Sequence, residues 1–124
     1  MPTSIRISIG GVTLEAEFFS TACAEKIAMN LPIETKPNVW GGEFYFEIAV
    51  DMPLDETATT KVKVGDIGYW PPGRALAIFF GPTPMSSGAD PVPASEVNLV
   101  GRIIGNANLL RQANSKENLR IEGR

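Results

Sequence analysis

The chain contains no histidine and a single cysteine, Cys23. Neutral imidazole is the commonest metal ligand and the usual acid–base group near neutrality. A Ser-His-Asp or Cys-His apparatus therefore has no base here. A structural zinc site lacks its thiolates. Chemistry is left to Asp, Glu, Tyr, Lys, Arg and Cys23, or to a bound group. The glycines of Gly65-Asp66-Ile67-Gly68 do not make a phosphate loop, because the lysine and the helix that the mechanism requires do not follow. No cofactor and no metal are expected.

Glu43, Tyr45 and Glu47 alternate with Phe44 and Phe46 and share one face of a strand. At ~3.3 Å per residue, the two carboxylates stand ~13 Å apart. That separation is too wide for a retaining carboxylate pair and exceeds the usual inverting range. The plain role of this face is to meet solvent. Glu43 acts as a base only if burial raises its pKa. Arg74 follows a tight turn and Arg102 sits in an apolar stretch. Each offers a planar fork that suits a carboxylate or phosphate; each also reads as a solvent-facing residue. Asp66 suits a side-chain bond to its own turn, and Cys23 reads as a small buried residue.

Trp40, Tyr69, Trp70, Phe79 and Phe80 lie beside Gly- and Pro-rich segments. Packing accounts for Phe79 and Phe80 most simply. Tyr and Trp near a loop often place a polar tip in water or on a ligand. Trp40, just before Gly41-Gly42, reads either as a lid over a barrel end or as one wall of a pocket.

The elements that must position these residues are mostly strands. Ile5, Ile7 and Ile9 alternate with polar residues, Gly10-Gly11 marks a hairpin, and Val12 to Phe18 returns with the same period. Ser20 or Thr21 can cap a helix whose stripe is Ala24, Ile27, Ala28 and Leu31, stopped by Pro32. A short extended piece follows at 33–36, and a strand at 43–50. Residues 51–60 read as a loop, and Val62 and Val64 as a new extended run. Ile67 to Trp70 is a short strand before the Pro71-Pro72-Gly73 turn. Ala75 to Phe80 is an unbroken apolar run, the mark of a strand covered on both faces. The Pro-rich stretch 81–94 is a loop long enough to suggest function. A strand at 97–104, a short helix at 106–113 and a closing strand at 119–122 complete the chain. About eight short strands with one or two helices predict a barrel or sandwich.

The chain's 124 residues fit one domain, 1–124. A net charge of −3 without a basic run excludes the footprint of a nucleic-acid binder. No window approaches the ~20 apolar residues of a membrane span, and the N-terminus lacks a signal-peptide pattern. With one cysteine, a cytoplasmic location is expected. The sequence is silent on oligomeric state.

The run Val64 to Gly73, followed by Ala75 to Phe80 and Gly81-Pro82-Thr83-Pro84, resembles the signature of an uncharacterised bacterial and archaeal family of cyclophilin-like proteins. Trp40 with Gly42 to Phe46, and Val100-Gly101, are similar to it as well. The resemblance implies a mostly β fold: a closed barrel of about eight strands with a helix near each end. It brings no settled activity. The prolyl-isomerase cyclophilins use a strand arginine with Phe, Gln, Trp and His around a proline pocket on the outer face of the barrel. This chain has no histidine, and no arginine between Arg6 and Arg74. The resemblance thus carries the fold rather than the activity.

The leading expectation is a binding domain for a small molecule or a peptide, in a shallow apolar groove. Trp40, Tyr69, Trp70 and Phe80 would wall it, Glu43 or Arg74 would orient the ligand, and Tyr45 shares Glu43's face. A weak peptidyl-prolyl isomerase and an accessory subunit of a larger enzyme are the alternatives.

Overall fold

The structure is a computed structural model that describes residues 2–124. The opening hairpin pairs β1 (Thr3–Ile9) with β2 (Val12–Phe18). Its turn places Gly10 and Gly11 at φ 50° and 86°, a conformation that L side chains resist. Ile5, Ile7 and Ile9 face the same interior as Leu14, Ala16 and Phe18. The helix α1 (Ala22–Ala28) starts at Thr21, whose hydroxyl accepts the Ala24 N–H at 3.2 Å. Cys23, Ala24 and Ile27 are its buried stripe.

The chain continues through β3 (Ile33–Thr35), β4 (Asn38–Val39), β5 (Glu43–Glu47), β6 (Ala58–Thr59), β7 (Asp66–Trp70), β8 (Ala75–Phe79), β9 (Val97–Ile104) and β10 (Leu119–Gly123). A 3-10 turn at Pro71–Gly73 joins β7 to β8, and another spans Ala107–Gln112. Eight strands have three or more residues; β4 and β6 have two each, too short to leave a period in the sequence. The helix expected at 106–113 is this second 3-10 turn, and the expected loop at 51–60 contains β6.

One sheet contains all ten strands in the order β3-β10-β1-β2-β9-β7-β8-β5-β4, with β6 pairing β9 beyond the end of β2. The fold is mostly β, as expected, but hydrogen bonds do not close the barrel. Its end strands, β3 and β4, are consecutive in the chain and separated only by Lys36-Pro37. Three Cα–Cα steps span at most ~11 Å, so the sheet curls until its two edges nearly meet. The covalent chain makes the join that a ladder would make in a closed barrel.

The main core fills this curl, with Ile5, Ile7, Phe18, Phe44, Phe46, Ile67, Tyr69, Leu76 and Ile78 among its members. A smaller second core lies outside, over β7 and β8: Val62, Ala77, Phe79 and Val97, with Tyr45, Trp70 and Leu99 packed against it. Residues 53–57 are fastened beside it by the fully buried Asn98. The Asn98 Oδ1 accepts the Asp55 N–H at 2.9 Å, and its Nδ2 donates to the Pro53 carbonyl at 2.9 Å. Removing one side chain would strand both backbone groups, each worth about 1–3 kcal/mol when left unpaired. Asn98→Ala should therefore lower unfolding stability in urea by about 2–3 kcal/mol. A loss below about 0.5 kcal/mol, the range of an ordinary surface substitution, would show that the 53–57 segment is held by something else.

Candidate functional site

On the outer face, the ladders β5–β8 and β8–β7 set side chains in rows. Tyr45 stands opposite Ala77, and Ala77 opposite Gly68. Glu47 stands opposite Ala75, and Ala75 opposite Trp70. Glu43 stands opposite Phe79. Large side chains at the margins and alanines in the middle leave a hollow. Gly68 lets Val97 pack against the sheet at its edge: a Cβ there would come within 2.8 Å of the Val97 Cγ2. Val97 covers this position and lines the hollow from β9.

The result is a cavity of about 250 Å³ floored by Ala75 and Ala77 and walled by Trp40, Tyr45 and Trp70. Pro93 and Ala94, at the end of the Pro-rich loop, form the opposite wall. That loop is internally tied. Thr83 is buried; its hydroxyl donates to the Val92 carbonyl at 2.5 Å, and its N–H donates to the Ser86 Oγ at 2.9 Å. The Ser86 hydroxyl in turn donates to the Asp90 carbonyl at 2.7 Å. Trp70 anchors the loop's end, since its Nε1–H donates to the Ser95 Oγ at 2.6 Å. The indole thus has its polar tip satisfied and its ring left to the cavity wall.

Trp40 reaches the site through Gly41-Gly42. Gly42 exchanges backbone hydrogen bonds with Pro82 and Phe80, each at 2.7 Å. A Cβ at Gly42 would lie 2.3 Å from the Gly81 carbonyl carbon, so only glycine allows the two strand ends to press together. This contact holds Trp40 and Glu43 on either side of a fixed bend. The Trp40 N–H donates to the Glu43 carbonyl at 2.9 Å.

Among the described residues, Glu43 is the one charged residue that lines the cavity. It is 7% exposed, and its Oε1 is shut off from solvent with no hydrogen-bond partner. Burial raises its pKa to about 7, because desolvation disfavours the charged form and nothing opposite offsets it. The solvent-facing role expected for this strand face thus holds for Glu47, which is exposed, but not for Glu43. At neutral pH the side chain is poised between acid and carboxylate, so it can accept a proton, give one, or bind a donor.

The other residues singled out in the sequence lie elsewhere. Tyr69 is fully buried in the main core. Its hydroxyl donates to the Val50 carbonyl at 2.5 Å and accepts the Met52 N–H at 3.2 Å. One residue of strand register separates it from Trp70, which faces outward. Phe80 belongs to the interior, 4.6 Å between ring centroids from Phe44, and edges a separate concavity beside Gly42, Leu110 and Arg111. Arg74 is exposed and pairs with Glu47 at 2.7 Å; Arg102 pairs with Glu17 across β9 and β2 at 2.8 Å. Neither lines the cavity. Asp66 accepts the Lys63 N–H at 2.8 Å, the turn role expected of it. Cys23 is buried, and burial pushes its thiol pKa up, so it is no nucleophile at neutral pH. Among the described residues no group of His, Cys, Asp or Glu is arranged to hold a metal, and no helix is long and apolar enough to cross a membrane.

A sequence model of the family described as cyclophilin-like matches residues 3–122. The chain belongs to the cyclophilin-like family. The solution structure of a hypothetical protein from Archaeoglobus fulgidus is similar to this cyclophilin-like chain, with a TM-score of 0.80 and 33% sequence identity. The match covers 99% of this chain and 95% of the archaeal one. No curated protein matches the sequence.

The state of Glu43 makes stability depend on pH with a definite sign. The unfolded glutamate ionises near its ordinary pKa of about 4.3, and the folded one near 7. Between these values the unfolded state binds fewer protons, so stability falls as pH rises and is level above about pH 7. Glu43→Gln removes this component. The stability of the variant relative to wild type should climb by about 3 kcal/mol between pH 4 and pH 8, measured by urea unfolding at each pH. A constant difference across that range would mean that Glu43 is solvated.

Proposed function

We propose that this cyclophilin-like domain binds a small molecule or a short peptide in the outer-face cavity. The observation that carries the reading is Glu43, a nine-tenths buried carboxylate whose Oε1 has no partner. It sits in an otherwise apolar hollow with aromatic walls. Folding gains nothing from an unpaired carboxylate there, since burial without a partner costs stability. Ligand pockets combine apolar surface with a few convergent polar groups in this way. The binding residues are Trp40, Glu43, Tyr45 and Trp70, with Pro93 and Ala94 as the facing wall.

Binding is favoured over prolyl isomerisation by the placement of the arginines. Isomerisation requires a donor that stabilises a twisted amide against a barrier of about 20 kcal/mol. Arg74 and Arg102 are directed to Glu47 and Glu17 instead.

A screen of small aromatic fragments and proline tetrapeptides tests the reading, with the indole N–H resonances of Trp40 and Trp70 as reporters. The chain has two tryptophans, so both signals belong to this cavity. Ligands should shift both. Ala94 is exposed at the rim, and Ala94→Trp should weaken binding at least tenfold with an unchanged thermal midpoint. Ligands that shift neither indole, or that bind the variant as well as wild type, would overturn the proposal.

A further inference from the structure

The chemistry of the cavity narrows what it can hold. An anionic ligand would meet the Glu43 carboxylate with no lining side-chain cation to offset it, since among the described residues no Lys or Arg lines the cavity. The Arg74 guanidinium is engaged by Glu47 at 2.7 Å. A purely apolar ligand would bury the carboxylate further and offer it no donor. A ligand that brings an N–H donor with positive charge resolves both difficulties, since a charge-assisted hydrogen bond is about twice as strong as a neutral one. The walls suit the same ligand. Trp40, Tyr45 and Trp70 surround the hollow, and indole and phenol faces attract organic cations through the ring quadrupole. Alanines at the floor leave room for a body beyond the charged head.

We propose that the outer-face cavity is specific for a small organic cation: an ammonium group carried on an apolar or aromatic body. The ammonium donates to the Glu43 carboxylate, while the body lies over Ala75 and Ala77 between the Trp40 and Trp70 rings. This assignment rests on the binding function proposed above and adds the ligand class to it.

Three probes of matched size separate the two ideas: benzylammonium, benzyl alcohol and benzoate, each titrated into wild type and Glu43→Gln at pH 8. The readouts are the Trp40 and Trp70 indole N–H shifts. Wild type should bind benzylammonium at least about tenfold more tightly than benzyl alcohol and should not bind benzoate. In Glu43→Gln the preference for the ammonium should fall to the small part that the aromatic walls supply, while benzyl alcohol still shifts both indoles, which also shows that the variant's cavity is folded. Equal affinities for ammonium and alcohol in wild type, or a preference undiminished in Glu43→Gln, would overturn the cation assignment and leave the cavity as a binding site. Failure of all three probes to shift either indole would overturn the binding function and the assignment together.

Discussion

Every residue of β8, Ala75 to Phe79, is buried, and a strand buried on both faces has to be covered twice. The curled sheet covers Leu76 and Ile78 from within. On the outside the chain supplies separate material: Val62, Val97, Trp70 and Tyr45, with the end of the Pro-rich loop. This outer cover fits closely over Gly68, where Val97 occupies the space of a missing Cβ. It fits loosely over Ala75 and Ala77, where small side chains meet large neighbours, and the cavity is that looseness. The candidate site is thus a consequence of how a doubly buried strand is shielded, rather than an addition to the fold.

The same shielding sets the electrostatics. Glu43 lies at the margin of the cover, opposite the fully buried Phe79. Water is kept from its Oε1 by neighbours that offer no hydrogen bond in return. Farther along the same strand, Glu47 is exposed and paired with Arg74. Such pairs contribute little to stability. The contrast between a paired, solvated Glu47 and an unpaired, desolvated Glu43, four residues apart on one strand, singles out the second as the functional group.

Much of the fold was legible because strands of period two announce their faces. The hairpin, the Phe44/Phe46 and Glu43/Tyr45/Glu47 faces and the double burial of β8 all follow from residue types in order. Membership of the cyclophilin-like family was carried by the Val64 to Pro84 segment, and the family match spans residues 3–122. Barrel closure was not legible, because it depends on how far the sheet curls. Part of the candidate site's lining was legible too: Trp40, Glu43, Tyr45 and Trp70 line one cavity. Tyr69 was harder to place, since adjacent aromatics at a strand end look alike until register assigns one to each side. The Pro93–Ala94 wall was missed because a loop's sequence does not say which strand it folds over. The alanines at 75 and 77 carried a usable signal: small residues on the outer face of a strand flanked by aromatics mark a hollow.

The account turns on Glu43 being a desolvated carboxylate without a partner. Its pKa can be followed directly by the side-chain carboxyl carbon resonance of labelled protein across a pH titration. The predicted midpoint is about 7. A midpoint near the ordinary value of about 4.3 would contradict the account, because it would mean that water or a protein donor reaches Glu43 and that the cavity holds no unanswered charge.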